Sequence, residues 1–168
     1  MDVFMEKIVA RKKGPKDFLF SVGVILAGLI IAFITLQIPI LNSFFVLILV
    51  GVIYGIYYLI TSRNIEFEYI VTNGYLDIDK IIARRKRKRI FSADCKDFDI
   101  VAKFNRFGSG SNVLQNSQKT IEAVSSMESN GIYYITLNYK GEKTTVLFEP
   151  DERMLKSFKS IIPRKVEI

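Results

Sequence analysis

The sequence contains no histidine. That removes the side chain most often used as a general base near neutral pH, and the commonest metal ligand. Serines are present, but without histidine there is no Ser–His pair. Cysteine occurs once, as Cys95. A single thiol forms neither an internal disulfide nor a cysteine-based zinc site, so Cys95 reads as a small buried apolar residue. The third absence is local. From Phe18 to Ser62, a run of 45 residues, there is no Asp, Glu, Lys or Arg.

That uncharged run is about twice the ~20 residues a helix needs to cross a bilayer core. Its middle reads Gln37-Ile38-Pro39-Ile40-Leu41-Asn42-Ser43. Proline interrupts the helical hydrogen-bond ladder, and Asn-Ser favours turns and caps. The pattern predicts a helix from Phe18 to Gln37, a tight turn, and a second helix from Ser43 to Thr61: a transmembrane hairpin. A cleaved leader has a shorter apolar core and no second span at once behind it. Arg11, Lys12, Lys13 and Lys16 precede the hairpin and Arg63 follows it, whereas the connecting turn has no cation. Such a distribution predicts both termini in the cytoplasm of a multi-pass (two-span) cell-membrane protein. The pairs Gly51 and Gly55, Gly23 and Ala27, and Gly28 and Ala32 have the spacing for close helix contact. They are expected to pack the two spans together, with oligomer formation as the alternative. With no ionisable group inside, the hairpin reads as an anchor rather than an ion or proton path. Ahead of it, Val3, Phe4, Ile8 and Val9 beside the lysines predict a short interfacial helix ended by Gly14-Pro15. The expected domains are therefore 1–17, 18–62 and 63–168.

From Arg63 onward the apolar period becomes two. Ile65, Phe67, Tyr69 and Val71 alternate with polar residues, Asn73-Gly74 makes a hairpin turn, and Tyr75–Ile82 alternates again. Further strands are expected at 88–91, 98–104, 120–124, 132–139 and 143–148. Gly108-Ser109-Gly110-Ser111-Asn112 reads as a mobile loop; it lacks the Gly-Lys-Ser/Thr ending of a phosphate-binding loop. The end is helical. Pro150 suits the first helical position, and Met154, Leu155, Phe158, Ile161 and Ile162 form one apolar face. The fold class is thus a transmembrane helical hairpin followed by a small α+β domain, an antiparallel barrel of about seven strands with a C-terminal helix.

Seven strands and a terminal helix resemble the pleckstrin-homology (PH-like) superfold. Tyr69-Ile70-Val71-Thr72-Asn73-Gly74-Tyr75-Leu76 is similar to the first hairpin of bacterial PH-like domains, which often follow a transmembrane pair. The whole chain, with its opening Met1-Asp2-Val3-Phe4-Met5-Glu6-Lys7, resembles a family of small two-span membrane proteins of Gram-positive bacteria. This resemblance implies no catalytic residues. The uncharged Asn73-Gly74 turn departs from the basic first turn of eukaryotic lipid-binding PH domains and argues against phosphoinositide recognition of that kind.

Net charge is +7, and six cations form one unbroken run, Arg84, Arg85, Lys86, Arg87, Lys88 and Arg89. Six charges cannot all be buried unpaired, so the run is solvated or bound to something anionic. Near an anionic leaflet each cation contributes about 1 kcal/mol, screened over ~8–10 Å. Anionic lipid headgroups are the expected partner. A solvated hairpin that discourages edge pairing is the plainer reading, and a protein partner the third. Nucleic-acid binding would interleave aromatics, and only Phe91 is near. Asp77 and Asp79 share a strand face, and Asp94, Asp97 and Asp99 cluster further on. Alternating aspartates read as a wet face that balances the basic run rather than as a metal or acid–base site. The sequence therefore predicts no enzyme, no metal and no cofactor. It predicts a membrane-anchored binding module, with a protein-interaction scaffold using the barrel edge as the alternative.

Overall fold

The computed structural model describes residues 4–105 and 113–167. The loop expected at Gly108–Asn112 lies outside the described residues, as does Val3. The chain divides into two compact units. One is residues 12–65; the other joins residues 1–11 to residues 66–168. That division corrects the expected boundaries. The N-terminal segment is part of the β domain, and the apolar stretch is an insertion into that domain.

The cause is the first element. Phe4–Ala10 is strand β1, and it pairs antiparallel with β2 (Ile65–Thr72) from Phe4 opposite Thr72 to Ala10 opposite Glu66. The interfacial helix expected here is absent. In Phe4–Ala10 the apolar residues recur at i, i+1, i+4 and i+5, a helical spacing, and nothing in the segment's own pattern marks a strand. A partner strand supplies backbone hydrogen bonds along the whole segment, which an isolated short helix cannot match. Val9 faces the core, while Phe4 and Ile8 are exposed.

After β1 the chain forms α1 (Pro15–Gln37), a single turn α2 (Pro39–Asn42) and α3 (Phe45–Thr61). Pro15 occupies the first turn of α1, where its missing N–H costs nothing. Ile38, extended, precedes Pro39 and ends the helix. At 23 residues α1 is long and apolar enough to cross a membrane; α3, also apolar, has 17 residues. Ser21, Thr35 and Thr61 donate their hydroxyls to carbonyls one turn back, the usual way an apolar helix satisfies a hydroxyl. Asp17, 5% exposed, caps the Gly14 N–H and takes a 2.8 Å ion pair from Arg63, just beyond the end of α3. A carboxylate at a helix N-terminus and a guanidinium beyond a C-terminus each also meet a favourable dipole. The predicted helix-packing set is corrected by the structure. Only Gly28 is buried, against Val52 and Ile56, whereas Gly23, Gly51 and Gly55 face open space; Ala27 is exposed and Ala32 half-buried.

Among the described residues the β domain has eight strands in two four-stranded sheets. Sheet A has the order β1-β2-β3-β4, with β3 at Tyr75–Ile82 and β4 at Lys86–Asp94. Sheet B has the order β5-β7-β8-β6, with β5 at Ile100–Lys103, β6 at Lys119–Ala123, β7 at Tyr133–Tyr139 and β8 at Glu142–Phe148. The seven expected strands appear as β2 to β8, and β1 is the eighth. Pairing is not wholly antiparallel, because β6 runs parallel to β8.

Helix α4 (Glu152–Ile161) follows, capped by Asp151, whose carboxylate accepts from Met154 N; Pro150 lies one residue before the cap rather than inside the helix. Met154, Leu155 and Phe158 are buried, with Phe158 edge-on to Phe98 at 5.9 Å. Polar groups tie the sheets together at the other side of the core. Tyr69 donates to Ala123 O and accepts from Glu149 N, Ser125 bonds the Glu149 carboxylate through its N–H and hydroxyl, and Lys7 of β1 donates to Glu149 O.

Candidate functional site

The basic run occupies the β3–β4 hairpin. Arg85 N bonds Ile82 O across the turn, and Ala83 and Arg84 both have left-handed backbones, φ 53° and 55°. Beyond the turn, Lys86 to Arg89 belong to β4.

Strict alternation would place Arg87 and Arg89 on the same face as Phe91. A bulge prevents this. Ile78 pairs with Phe91 but Asp79 pairs with Arg89, so Ile90 is the extra residue. One inserted residue inverts the side-chain phase of a strand. Phe91 therefore enters the core, and the arginines turn outward.

On that outer face the run meets carboxylates. Arg84 Nε lies 3.1 Å from Glu66. Arg87 Nη2 lies 2.9 Å from each Glu68 oxygen and bonds Oε1. Arg89 binds Asp79 at 2.8 Å and Asp77 at 2.7 Å. The six-cation run is thus partly neutralised from within: Arg84, Arg87 and Arg89 have carboxylate partners. Lys86 and Lys88 are exposed and make no ion pair among the described residues. Asp77 and Asp79 do balance the basic run. Glu66 and Glu68 on β2 were read only as polar positions of an alternating strand, because spacing does not reveal that Arg84 and Arg87 reach past β3 to them.

Burial distorts the titration of this face. Glu68 is 3% exposed. Burial, followed by the adjacent Glu6 carboxyl, raises its pKa above the ordinary value, against the pull of Arg87. Arg89 is held more firmly protonated by its bond to Asp79.

The other expected residues are placed as follows. Of the five flanking cations, Arg63 is bound to Asp17 and lies over the Phe20 ring, while Lys12, Lys13 and Lys16 are exposed; Arg11 is half-buried. Asp94 caps the short turn at Cys95–Asp97 through Lys96 N, and Asp97 and Asp99 are exposed. Cys95 is buried and its thiol pKa is pushed up to about 11, first by burial and then by Asp94. Among the described residues no three His, Cys, Asp or Glu side chains are grouped to hold a metal ion.

The hairpin's location carries more information than its charge. Ala10, Glu66, Ile81 and Arg84 to Arg87 line one shallow groove, so the turn lies at the end of sheet A where β1 finishes and β2 begins. The apolar insertion leaves and rejoins the domain at that same end.

Two sheets closed by a C-terminal helix, with a basic run on one hairpin, fit a PH-like domain, a fold that suggests a binding module. The chain belongs to the bacterial PH-like domain family (DUF6106), whose family model matches residues 1–168. No curated protein and no solved structure matches it.

Proposed function

We propose that this protein is a membrane-anchored, non-enzymatic binding module whose β3–β4 hairpin contacts anionic lipid headgroups at the cytoplasmic face. The observation that carries the reading is the pairing of Ala10 with Glu66. A segment that leaves a sheet at one residue and returns at its neighbour crosses a bilayer an even number of times. With α1 and α3 as the two crossings, α1 spans about 35 Å at 1.5 Å per residue and α3 about 26 Å, against a hydrocarbon core of ~30 Å. Both termini then lie on one side, and the cations Arg11, Lys12, Lys13 and Lys16 favour the cytoplasm.

The tether is short: residues 11–14 separate β1 from α1. It emerges from the end of sheet A that carries the basic hairpin. Lys86 and Lys88, which make no ion pair among the described residues, supply the most available charge, each contributing about 1 kcal/mol near an anionic surface.

The test places the full chain in nanodiscs of phosphatidylglycerol or phosphatidylcholine. Amide hydrogen exchange at residues 82–88 should slow in the anionic discs only, and the difference should shrink at high salt or in the Lys86→Gln/Lys88→Gln variant. Equal exchange in both lipids sinks the lipid reading and directs attention to a protein partner. Sidedness is read separately, with Lys140→Cys in a Cys95→Ser background. The engineered thiol should resist a membrane-impermeant maleimide in intact cells and react after lysis.

A further inference from the structure

The groove at this end of sheet A is not lined by charge alone. It encloses about 530 Å³, and Ile8, Ala10 and Ile81 line it together with Arg84 to Arg87 and Glu66. Ile8 is 52% exposed. Isoleucine on the water side of a strand loses the benefit of burial, and diffuse attraction of a cationic strip to a charged surface has no use for it. The lining residues come from β1, β2, β3 and β4, so the groove crosses the sheet face instead of following its edge. A peptide adding itself as a strand would need the edge.

We propose that this groove holds one anionic phospholipid molecule. Its phosphate sits against the rim of Arg84 to Arg87, and its glycerol and first acyl carbons lie on Ile8, Ala10 and Ile81. The inference deepens the reading above and rests on it: surface docking by charge becomes recognition of a single lipid. The choice of occupant follows from complementarity. Four cations on the rim meet two carboxylates, Glu66 on Arg84 and Glu68 on Arg87, and the remaining excess of positive charge suits a phosphate. The apolar floor adjoins that rim, as the apolar part of a phospholipid adjoins its phosphate. A free phosphate would leave the floor bare. Glu66 competes with the ligand, because it already holds Arg84 at 3.1 Å.

The experiment uses the full chain in neutral detergent and counts bound lipid by native mass spectrometry. The probes are short-chain phosphatidylglycerol, short-chain phosphatidylcholine and glycerol phosphate. Phosphatidylglycerol should bind the β domain with a stoichiometry of one and outcompete both others. The Ile8→Ser/Ile81→Ser variant keeps every cation; it should bind phosphatidylglycerol about tenfold more weakly, yet retain the nanodisc response to anionic lipid. Glu66→Gln frees Arg84 and should tighten binding several-fold. Neither isoleucine is part of the buried core, so the double variant should melt like the parent. Unchanged binding in that variant, or glycerol phosphate binding as tightly as phosphatidylglycerol, overturns the groove while leaving charge-driven docking intact. Loss of the nanodisc response in the unaltered protein overturns docking itself.

Discussion

Glu68 shows what a single residue meets on the outer face of sheet A. It lies on the strand face that alternation assigns to water, yet it is 3% exposed and shares its surroundings with Glu6, Asp79 and Arg87. Its raised pKa has a definite consequence for stability. The folded state holds the Glu68 proton more tightly than the unfolded state. The stabilisation from protonation is therefore complete below the ordinary value near 4.5 and is lost as pH rises through the raised folded value. Glu68→Gln cannot titrate. The melting temperature of the parent minus that of the variant should be larger at about pH 5 than at about pH 7.5. A pH-independent difference would show that Glu68 ionises like an exposed carboxylate. The sequence shows an acidic residue in a strand at this position and no more, because two of its neighbours, Glu6 on β1 and Arg87 on β4, lie 62 residues before it and 19 after it.

At the scale of elements, the apolar helices were legible almost to the residue. Charge ceases at Phe18, and Pro39 and Asn42-Ser43 mark the break. Which face of each helix meets the other was not legible. Three small-residue pairs have suitable spacing, and only Gly28 is used; a Cβ there would lie 2.5 Å from Ile56 Cδ1. That neighbour is the end of a flexible side chain and can yield. Gly28→Ala should therefore cost little, and Gly28→Ile about 1–3 kcal/mol through overpacking. Gly51→Ile and Gly55→Ile should leave the helix pair unaffected. Unfolding of the purified protein by increasing SDS in mixed micelles reads all four variants. An equal loss for Gly51→Ile and Gly28→Ile would mean that the contact face lies elsewhere. The β3–β4 hairpin is the parallel case. Its strands were read from alternation, but the bulge at Ile90 that sends Phe91 inward and Arg89 outward was not. A bulge follows from the register of two strands, and single-strand periodicity does not contain it.

The whole molecule is a β domain interrupted by an apolar insertion. A chain that starts at residue 63 lacks β1. It would lose Val9 from the core and the Lys7 bond to Glu149 O. Replacing residues 12–64 by Asn-Gly instead joins β1 to β2 through a two-residue hairpin turn, since Ala10 already opposes Glu66. The joined chain should dissolve without detergent and melt in one cooperative transition. Residues 63–168 alone should melt at least several degrees lower, or aggregate, for a loss of 1–2 kcal/mol or more in a domain of this size (about 4–8 °C per kcal/mol). Equal melting of the two chains in circular dichroism would make β1 dispensable.

Composition and local pattern determined what depends on neighbours in the chain: the apolar stretch, its proline break, strands β2 to β8, the C-terminal helix and the concentration of cations in one hairpin. These follow from backbone preferences and apolar periods that operate over a few residues. Tertiary structure alone decided that Phe4–Ala10 is a strand, because the partner that makes it one lies beyond the entire insertion. It alone decided that half of the basic run is matched by carboxylates, and that the hairpin turns at the end of the sheet from which the insertion departs. Each is a meeting of residues far apart in sequence. The energy of such a meeting depends on the distance in space, which periodicity does not encode.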